Sequence, residues 1–316
     1  MAVEGKADLP AMTATERAVR PRRDPLSDRL ILGLFLAPSL VVLLSMVAYP
    51  FVSLIYYSFL RFSILRPQVP AEAVGFENYA FLLSDPDLWS RFVFTGQFVF
   101  LSVGLQFLLG ITIAYILQRD FRGRDVIFTA LMLPMMLCPI VVGFLWRYML
   151  NSEWGVVNYL LTLVGFAKLD WLGVTQNALW AVVIADSWMW TPFVILLATA
   201  AFRGVPKTIY EAADIDGASA AFRFFMVTLP LSAPILFIAL LLRLIDTFKQ
   251  YDLFFALTGG GPGSSTETVS FALGKIAFSY FYTGEASALA VILLLIIIGL
   301  SLIFVRYLTK LGRQRG

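Results

Sequence analysis

Histidine is absent from this 316-residue sequence, cysteine occurs once, at Cys138, and only 14% of the residues are charged. Without histidine, catalytic pairs built on an imidazole and the common histidine metal sites are excluded. A single cysteine in an apolar run excludes an internal disulfide and a cysteine metal cluster. So little charge also excludes an ordinary soluble domain of this length. We therefore predict no metal site and no cofactor.

Long apolar runs take the place of the missing charge. Hydrophobic residues make up 59% of the chain, and the mean hydropathy is +0.81. Five runs lack any charge and a sixth is interrupted by Asp186 alone; they are residues 30–60, 92–118, 126–146, 171–202, 224–242 and 286–305. About 20 helical residues cross a bilayer, and a spanning segment must satisfy its own backbone hydrogen bonds. We predict an all-α polytopic membrane protein with six transmembrane helices.

The basic residues predict the orientation of these helices. They concentrate in segments that six crossings place on one side, namely residues 1–29, 119–124, 203–225 and the tail from Arg306. By the positive-inside rule this side is cytoplasmic, so both termini are predicted to be cytoplasmic. The same distribution of basic residues explains the pI near 9.0, which therefore does not indicate nucleic acid binding. The first run begins only at residue 30, is longer than the apolar core of a signal peptide and is followed by Arg61, so we do not expect it to be a cleavable signal peptide. We predict a flexible cytoplasmic tail at residues 1–29, a transmembrane domain at 30–310 and a second cytoplasmic tail at 311–316.

The fifth predicted helix carries polar residues inside the membrane. At 100° per residue, four of them fall within an arc of about 100°: Arg243, Asp246, Thr247 and Gln250. Lys249 is three residues from both Asp246 and Asp252, so these charges are predicted to pair. Charges in lipid are costly, so the arc must face other helices or a water-filled passage. Two interpretations remain open: an ion-pair network that only braces helices, and a polar lining that contacts a solute.

The fourth predicted helix adds Asp186 and Trp190, one turn apart, with Pro192 freeing a backbone carbonyl nearby. Trp188 or Trp190 offers an aromatic face on which a sugar ring can stack. Interfacial tryptophans are common in membrane proteins, so the alternative interpretation is that these side chains anchor the helix at the membrane interface.

Proline and glycine predict the breaks. Pro134 and Pro139 should kink the third helix. The run LTGGGPGSSTET at 257–268 lacks the lysine of a phosphate-binding loop, so we predict a turn that caps the fifth helix at the outer surface. Residues 75–89 and 151–166 are predicted to form short interfacial helices.

The loop between the fourth and fifth helices, residues 203–228, contains a short acidic helix. Pro206 suits its start and Gly217 its end. Apolar residues follow at helical spacing, namely Ile215, Ala218, Phe222 and Phe225. One interpretation is a loop helix packed on its own protein; the other is a docking knob that presents Glu211 to a basic partner.

The segment EAADIDGASAAFRFFMVTLPLSAP resembles the signature of binding-protein-dependent ABC importer permeases. The matching residues are Glu211, Ala212, Ala213, Asp216, Gly217, Ala218, Leu229, Pro230 and Pro234. Other segments are similar to the maltose-type (MalF-like) sugar permeases: APSLVVLLSMVAYPFVSLIYYSF, GFENYAFLL, LPMMLCPIVVGFLWRYMLNSEWGVVN and YDLFFALTGGGPGSST. The resemblance covers residues 33–310.

This resemblance implies a type I ABC importer transmembrane domain in the bacterial inner membrane. Its implied partners are a second related permease, a dimer of ATPase subunits and an extracytoplasmic solute-binding protein, in contact with membrane lipid. The loop helix would couple the chain to the ATPase, with Glu211 meeting a basic residue and Gly217 making the turn. The implied coupling residues are Glu211, Ala212, Ala213, Asp216 and Gly217.

The resemblance also places solute contacts in the helices before and after this loop. The matching positions are Met189, Trp190, Phe193, Arg243, Asp246, Thr247 and Gln250. Asp186 and Asp252 join them as candidate residues of the solute pathway because of their charge.

We predict a permease subunit that performs no bond chemistry itself. It would translocate a sugar, sugar alcohol or short oligosaccharide by alternating access, while partner ATPases hydrolyse ATP. The first alternative is an ion-coupled secondary transporter that uses Asp246, Lys249 and Asp252; such folds often contain inverted repeats, and the sequence shows none. The second is a membrane-embedded enzyme, which lacks both a histidine base and a G-x-S-x-G nucleophile motif.

Overall fold

The computed structural model describes residues 28–66 and 68–313, whose regular structure is almost entirely helical. The helices are α1 Asp28–Ser58, α2 Glu77–Ser84, α3 Pro86–Ile116, α4 Arg124–Met132, α5 Pro139–Met149, α6 Val156–Leu163, α7 Thr175–Arg203, α8 Lys207–Ile215, α9 Ala220–Phe222, α10 Leu229–Phe248, α11 Asp252–Leu257, α12 Val269–Phe278 and α13 Thr283–Arg313. A 3₁₀ turn covers Leu133–Met136, and a π-helical stretch covers Arg223–Thr228. Strands β1 (Leu60–Arg61) and β2 (Glu72–Ala73) pair antiparallel.

The chain divides into two compact units between Phe51 and Val52. In the first unit, the described residues belong to α1, an apolar helix that contains Pro38 and Pro50. The second unit contains the buried core and all the other helices.

The two predicted tails lie largely outside the described residues. At the N-terminus, α1 already begins at Asp28, inside the predicted tail at 1–29. At the other end, α13 continues to Arg313, so the last helix extends into the predicted tail at 311–316.

Within the described residues, five helices are long and apolar enough to cross a membrane: Leu32–Ser58, Pro86–Ile116, Thr175–Arg203, Ala220–Phe248 and Thr283–Tyr307. The third predicted span is not one kinked helix. It is broken into α4, the 3₁₀ turn and α5, and its two arms are bent by 99°. Pro134 lies in the turn, and Pro139 forces Cys138 into an extended conformation. The predicted prolines thus mark the site of the bend, but they break the helix and do not merely kink it; counted as one span, this pair makes six.

Helix α7 is the most deeply buried span of the second unit. Four of its alanines, Ala178, Ala181, Ala185 and Ala198, are fully buried, and small residues let neighbouring backbones approach closely. Gly110 of α3 is one such contact, because a Cβ atom built there would lie 2.6 Å from Cβ of Val194. The α3–α7 pair is therefore the packed centre from which the polar residues described below project.

The helix that carries the predicted polar arc ends earlier than predicted. Helix α10 stops at Phe248, and Tyr251 has φ −120° and ψ −52°, which interrupts the helix before α11 begins at Asp252. Gln250 therefore lies in the break and not on the helical arc. The two predicted interfacial segments at 75–89 and 151–166 contain helices α2 and α6.

We expect Gly110→Ala to destabilise the protein, because the new methyl group would also lie 3.3 Å from the backbone nitrogen of Ile195. Overpacking of this kind costs about 1–3 kcal/mol. The matched control is Gly104→Ala on the same helix, where an added Cβ atom meets nothing within 4 Å. The melting temperature of the detergent-purified protein should fall only for Gly110→Ala; equal values for the two variants would contradict this packing.

Candidate functional site

A buried polar cluster joins α3, α7 and α10. The Asp186 carboxylate of α7 is 1% exposed and accepts hydrogen bonds at Oδ2 from the Ser102 hydroxyl and from Gln106 Nε2, the latter at 2.8 Å. Ser102 and Gln106 lie one turn apart on α3 and also contact each other at 3.0 Å. One helix thus presents two polar side chains to the single acid of its neighbour.

The Arg243 guanidinium of α10 completes this cluster and is 2% exposed. Nε donates to Gln106 Oε1 at 2.9 Å, and Nη2 donates to Asp186 Oδ2 at 3.3 Å. Nη1 donates to Asp246 Oδ2 at 2.7 Å, and Nη2 also donates to Thr247 Oγ1 at 3.0 Å. A buried charge is tolerated only when it is paired and hydrogen-bonded, and both conditions hold for Arg243.

Trp190 of α7 covers one side of the same guanidinium. The Arg243 Cζ atom lies 4.5 Å from the centre of the Trp190 ring, which is a cation–π contact. Phe193 packs edge-on against Trp190 at 6.4 Å. One face of Trp190 is therefore occupied by Arg243, so the predicted stacking on a sugar ring would have to use its other face.

Among the candidate pathway residues, three buried polar atoms have no hydrogen-bond partner in the described part of the chain: Asp186 Oδ1, Trp190 Nε1 and Gln250 Nε2. Unpartnered buried polar groups are rare and costly in proteins. The first accepts hydrogen bonds and the other two donate them. A hydroxyl group both donates and accepts, so it suits each of the three.

Not every predicted pathway residue joins this cluster. Met189 is 1% exposed and packs in the apolar core with residues such as Phe98 and Phe254. Trp188 packs edge-on against Trp146, with their ring centres 5.9 Å apart. Asp252 is exposed in the first turn of α11.

The predicted ion pairs of Lys249 are wrong. Within the described residues Lys249 forms no ion pair, and Asp246 pairs with Arg243 instead. The physical reason is the break after Phe248, because the helical spacing that would bring Asp252 next to Lys249 ends there.

Sequence analysis also missed Ser102 and Gln106. The signal was two polar residues one turn apart inside the apolar run 92–118. Their importance depends on which helix they face, and only the packing of α3 against α7 provides that information.

The loop helix α8 begins after Pro206 and ends at Ile215; Asp216 caps it and is followed by Gly217 with φ +70°. The Ala218 amide donates to the Ala213 carbonyl at 2.9 Å, which closes the helix end in the manner of a glycine cap. Gly217 thus supplies the left-handed turn that the sequence predicts, and nothing lies within 4 Å of its missing Cβ atom.

The surface around α8 is largely uncovered by the chain itself. Ile215 is 86% exposed, and Phe222 and Phe225 are also exposed. Glu211 is exposed and has no ion pair among the described residues, whereas Asp214 pairs with Arg223. Of the two interpretations of this loop, the exposed stripe favours the docking knob over packing on its own protein.

The glycine-rich run is a turn, in which Gly259, Gly260 and Gly263 have positive φ angles. It does not cap the fifth predicted helix, because α10 ends at Phe248 and the turn follows the separate short helix α11. The buried carboxylate of Glu267 holds this turn, because it accepts from Arg91 Nε at 3.0 Å and from Lys275 Nζ at 2.5 Å. The hydrogen bond to Glu267 raises the pKa of the Lys275 ammonium group. The turn is therefore a structural connection to α3 and α12.

Comparisons with known proteins agree with this architecture. Residues 106–313 match the family described as "Binding-protein-dependent transport system inner membrane component". The chain is 35% identical to the trehalose/maltose transport system permease protein MalF of Thermococcus litoralis, over 89% of this chain and 93% of that one. It is 32% identical to the sulfoquinovosyl glycerol transport system permease protein SmoG of Agrobacterium fabrum, over 89% and 91%.

A solved structure of similar fold is that of a bacterial alginate ABC transporter in complex with an alginate pentasaccharide-bound periplasmic protein. The TM-score is 0.75 at 19% identity, covering 87% of this chain and 92% of that one. Together with the family match, this similarity of fold confirms the predicted fold class, a type I ABC importer transmembrane domain.

The buried cluster generates a stability prediction. Arg243→Leu leaves the Asp186 carboxylate buried without its cation, and breaking a buried pair in this way costs about 3–5 kcal/mol. The double variant Arg243→Leu/Asp186→Leu removes both charges and should recover most of the lost melting temperature of the detergent-purified protein.

Asp246→Asn is the control, because the Asp246 side chain is 45% exposed and its loss should cost much less. The pairing is refuted if the double variant is as unstable as Arg243→Leu alone.

Proposed function

Because the chain belongs to the family of inner membrane components of binding-protein-dependent transport systems, we propose that it imports a sugar, sugar alcohol or short oligosaccharide. As a transport subunit the chain is not an enzyme, and ATP hydrolysis belongs to separate subunits. The relatives' names support the solute class, since trehalose, maltose, sulfoquinovosyl glycerol and alginate are all carbohydrates or their derivatives.

The observation that carries the transport mechanism is the exposed helix α8 with its Gly217 turn. We propose that Glu211, Ala212, Ala213, Asp216 and Gly217 form the contact with an ATPase dimer. The exposed apolar side chains beside α8 and the unpaired charge of Glu211 suit a partner cleft that is apolar with a basic rim. In this proposal both termini are cytoplasmic, α8 lies on the same side, and the membrane is the bacterial inner membrane.

The remaining proposed partners are a second related permease and an extracytoplasmic solute-binding protein, which delivers the solute to the outer surface. ATP binding would close the ATPase dimer and move α8. The polypeptide continues from α8 through α9 and the π-helical stretch into α10, which carries Arg243. The nucleotide states of the ATPase dimer would bind different conformations of this chain with different affinity. Such a difference would change the conformation of the solute pathway.

For the solute pathway we propose the polar cluster and its neighbours: Asp186, Met189, Trp190, Phe193, Arg243, Asp246, Thr247, Gln250 and Asp252. The bracing and lining interpretations of this cluster are compatible. Arg243 and Asp186 Oδ2 satisfy each other, while Asp186 Oδ1, Trp190 Nε1 and Gln250 Nε2 are available to hydroxyl groups. Met189 and Asp252 have the weakest support, because one is buried in the core and the other is outside the cluster.

The ion-coupled alternative has lost its structural basis. It required Asp246, Lys249 and Asp252 to act together, and within the described residues Lys249 pairs with neither acid. Asp246 is instead paired with Arg243 at 2.7 Å.

The coupling proposal predicts that Glu211→Ala/Gly217→Pro abolishes ATP-dependent uptake in proteoliposomes containing the complete transporter and its binding protein. The protein should still insert in the membrane, because both positions are exposed, but the ATPase should dissociate more readily during purification. Glu153→Ala is the control, since Glu153 is an exposed acid distant in sequence from α8. Uptake at the wild-type rate by the double variant would rule out this coupling role.

The pathway proposal predicts that Gln250→Leu raises the KM for uptake about 2- to 10-fold, the equivalent of one hydrogen bond of about 0.5–1.5 kcal/mol. Its melting temperature should stay near the wild-type value, because Gln250 Nε2 has no protein partner among the described residues. Ser232→Ala, which also removes a buried unpartnered group of α10, should leave KM unchanged. A variant of Gln250 that loses only expression or stability would instead support a purely bracing role.

A further inference from the structure

A cleft of about 300 Å³ lies between α4 and α7, apart from the polar cluster. Arg124 and Phe128 of α4 line one wall, and Leu196, Thr199 and Arg203 of α7 line the other. The α7 residues recur every three to four positions, so they follow one face of that helix. The cleft is thus basic at the end near Arg124 and Arg203 and apolar at the end near Phe128 and Leu196.

The two guanidinium groups of this cleft are poorly compensated. Arg203 forms no ion pair or side-chain hydrogen bond among the described residues. Arg124 contacts only Asp120, at 3.3 Å, and the Asp120 side chain is 96% exposed, so this pair contributes little. Asp125 is the one acid in the lining that the structure describes. The lining thus holds two guanidinium groups and one carboxylate, and the second nearby acid, Asp120, is exposed outside it. This excess of positive charge favours an anionic ligand, and guanidinium binds phosphate oxygens in a planar, bidentate manner.

A second observation also points to a ligand with polar groups. The Thr199 side chain lines the cleft, is 5% exposed, and its hydroxyl has no hydrogen-bond partner among the described residues. At the start of α4, Gly123 provides no side-chain cap for the first backbone N–H groups. Such a helix start adds partial positive charge to the same end of the cleft.

A larger groove of about 870 Å³ lies further along the same two helices. It is lined by Leu131 and Pro134 on one side, by Ile195, Thr191 and Ile184 of α7 on the other, and also by residues of α3. Leu196 of the cleft and Ile195 of the groove are neighbours in the sequence, so the two cavities lie close together. At about 1.5 Å per residue, Arg203 and Thr191 are separated by roughly 18 Å along α7, close to half of a hydrocarbon layer of about 30 Å. The basic end and the apolar groove together have the length and polarity of one phospholipid.

We propose that this cleft binds an anionic glycerophospholipid, with the phosphate between Arg124 and Arg203 and an acyl chain along the groove. Basic pockets between transmembrane helices on the cytoplasmic side are known to bind such headgroups. Free phosphate would use the same arginines but would not explain an apolar groove that adjoins them. The inference depends on the membrane location of the chain and not on the solute that it transports.

The test uses the delipidated transporter, to which phosphatidylglycerol, phosphatidylcholine or inorganic phosphate is added. Native mass spectrometry should detect bound phosphatidylglycerol, and the melting temperature should rise with this lipid alone. Arg124→Gln/Arg203→Gln should weaken its binding about tenfold, because it loses the charge-assisted hydrogen bonds to the phosphate. Arg119→Gln/Arg122→Gln removes the same charge outside the cleft lining and should change binding less than twofold.

A second variant keeps the proposal testable if the arginine double variant fails to fold. Leu196→Trp should block the acyl chain and reduce lipid binding while both arginines remain. Equal binding of the two lipids, or unchanged binding in both cleft variants, would overturn the proposal. Stabilisation by inorganic phosphate alone would indicate a free-anion site instead. A photoreactive residue at position 196 should crosslink to lipid; crosslinking to a second permease would show that a partner helix occupies the groove.

Discussion

The buried guanidinium of Arg243 is the group on which the centre of this structure depends. It contacts polar side chains of three helices, with Gln106 on α3, Asp186 on α7 and Thr247 on α10. None of these helices offers another cation to Asp186 within the described part of the chain. Since an unpaired charge inside a membrane protein is costly, the cluster specifies how α10 is positioned against the α3–α7 pair.

This arrangement also relates the two ends of the proposed mechanism. The exposed helix α8 and the buried Arg243 belong to one continuous stretch of chain, through Gly217, the π-helical segment and α10. The third span is broken at its prolines, and its two arms are bent by 99°. A continuous helix in this place would be stiffer. Alternating access requires a permease subunit to combine a rigid packed centre with an exposed element that a partner can move, here α8.

Much of this fold could be predicted from the sequence, because apolar runs of membrane length have few alternatives. Pro206 and Gly217 likewise predicted the limits of α8 correctly from backbone chemistry alone. The partners of Arg243 could not be predicted, since Ser102 and Gln106 become relevant only when α3 packs against α7. The error at Lys249 arose because periodicity assumes a continuous helix, and the break after Phe248 depends on how the following turn packs.

As a subunit of an ATP-driven importer, this chain should move a carbohydrate only when partner ATPases hydrolyse ATP. Uptake of a labelled disaccharide can be measured in proteoliposomes that contain the complete transporter and its binding protein. We expect uptake that requires ATP on the side of α8 and stops when the ATPase subunits are omitted. Uptake by the chain alone, driven by a proton or sodium gradient without ATP, would contradict it.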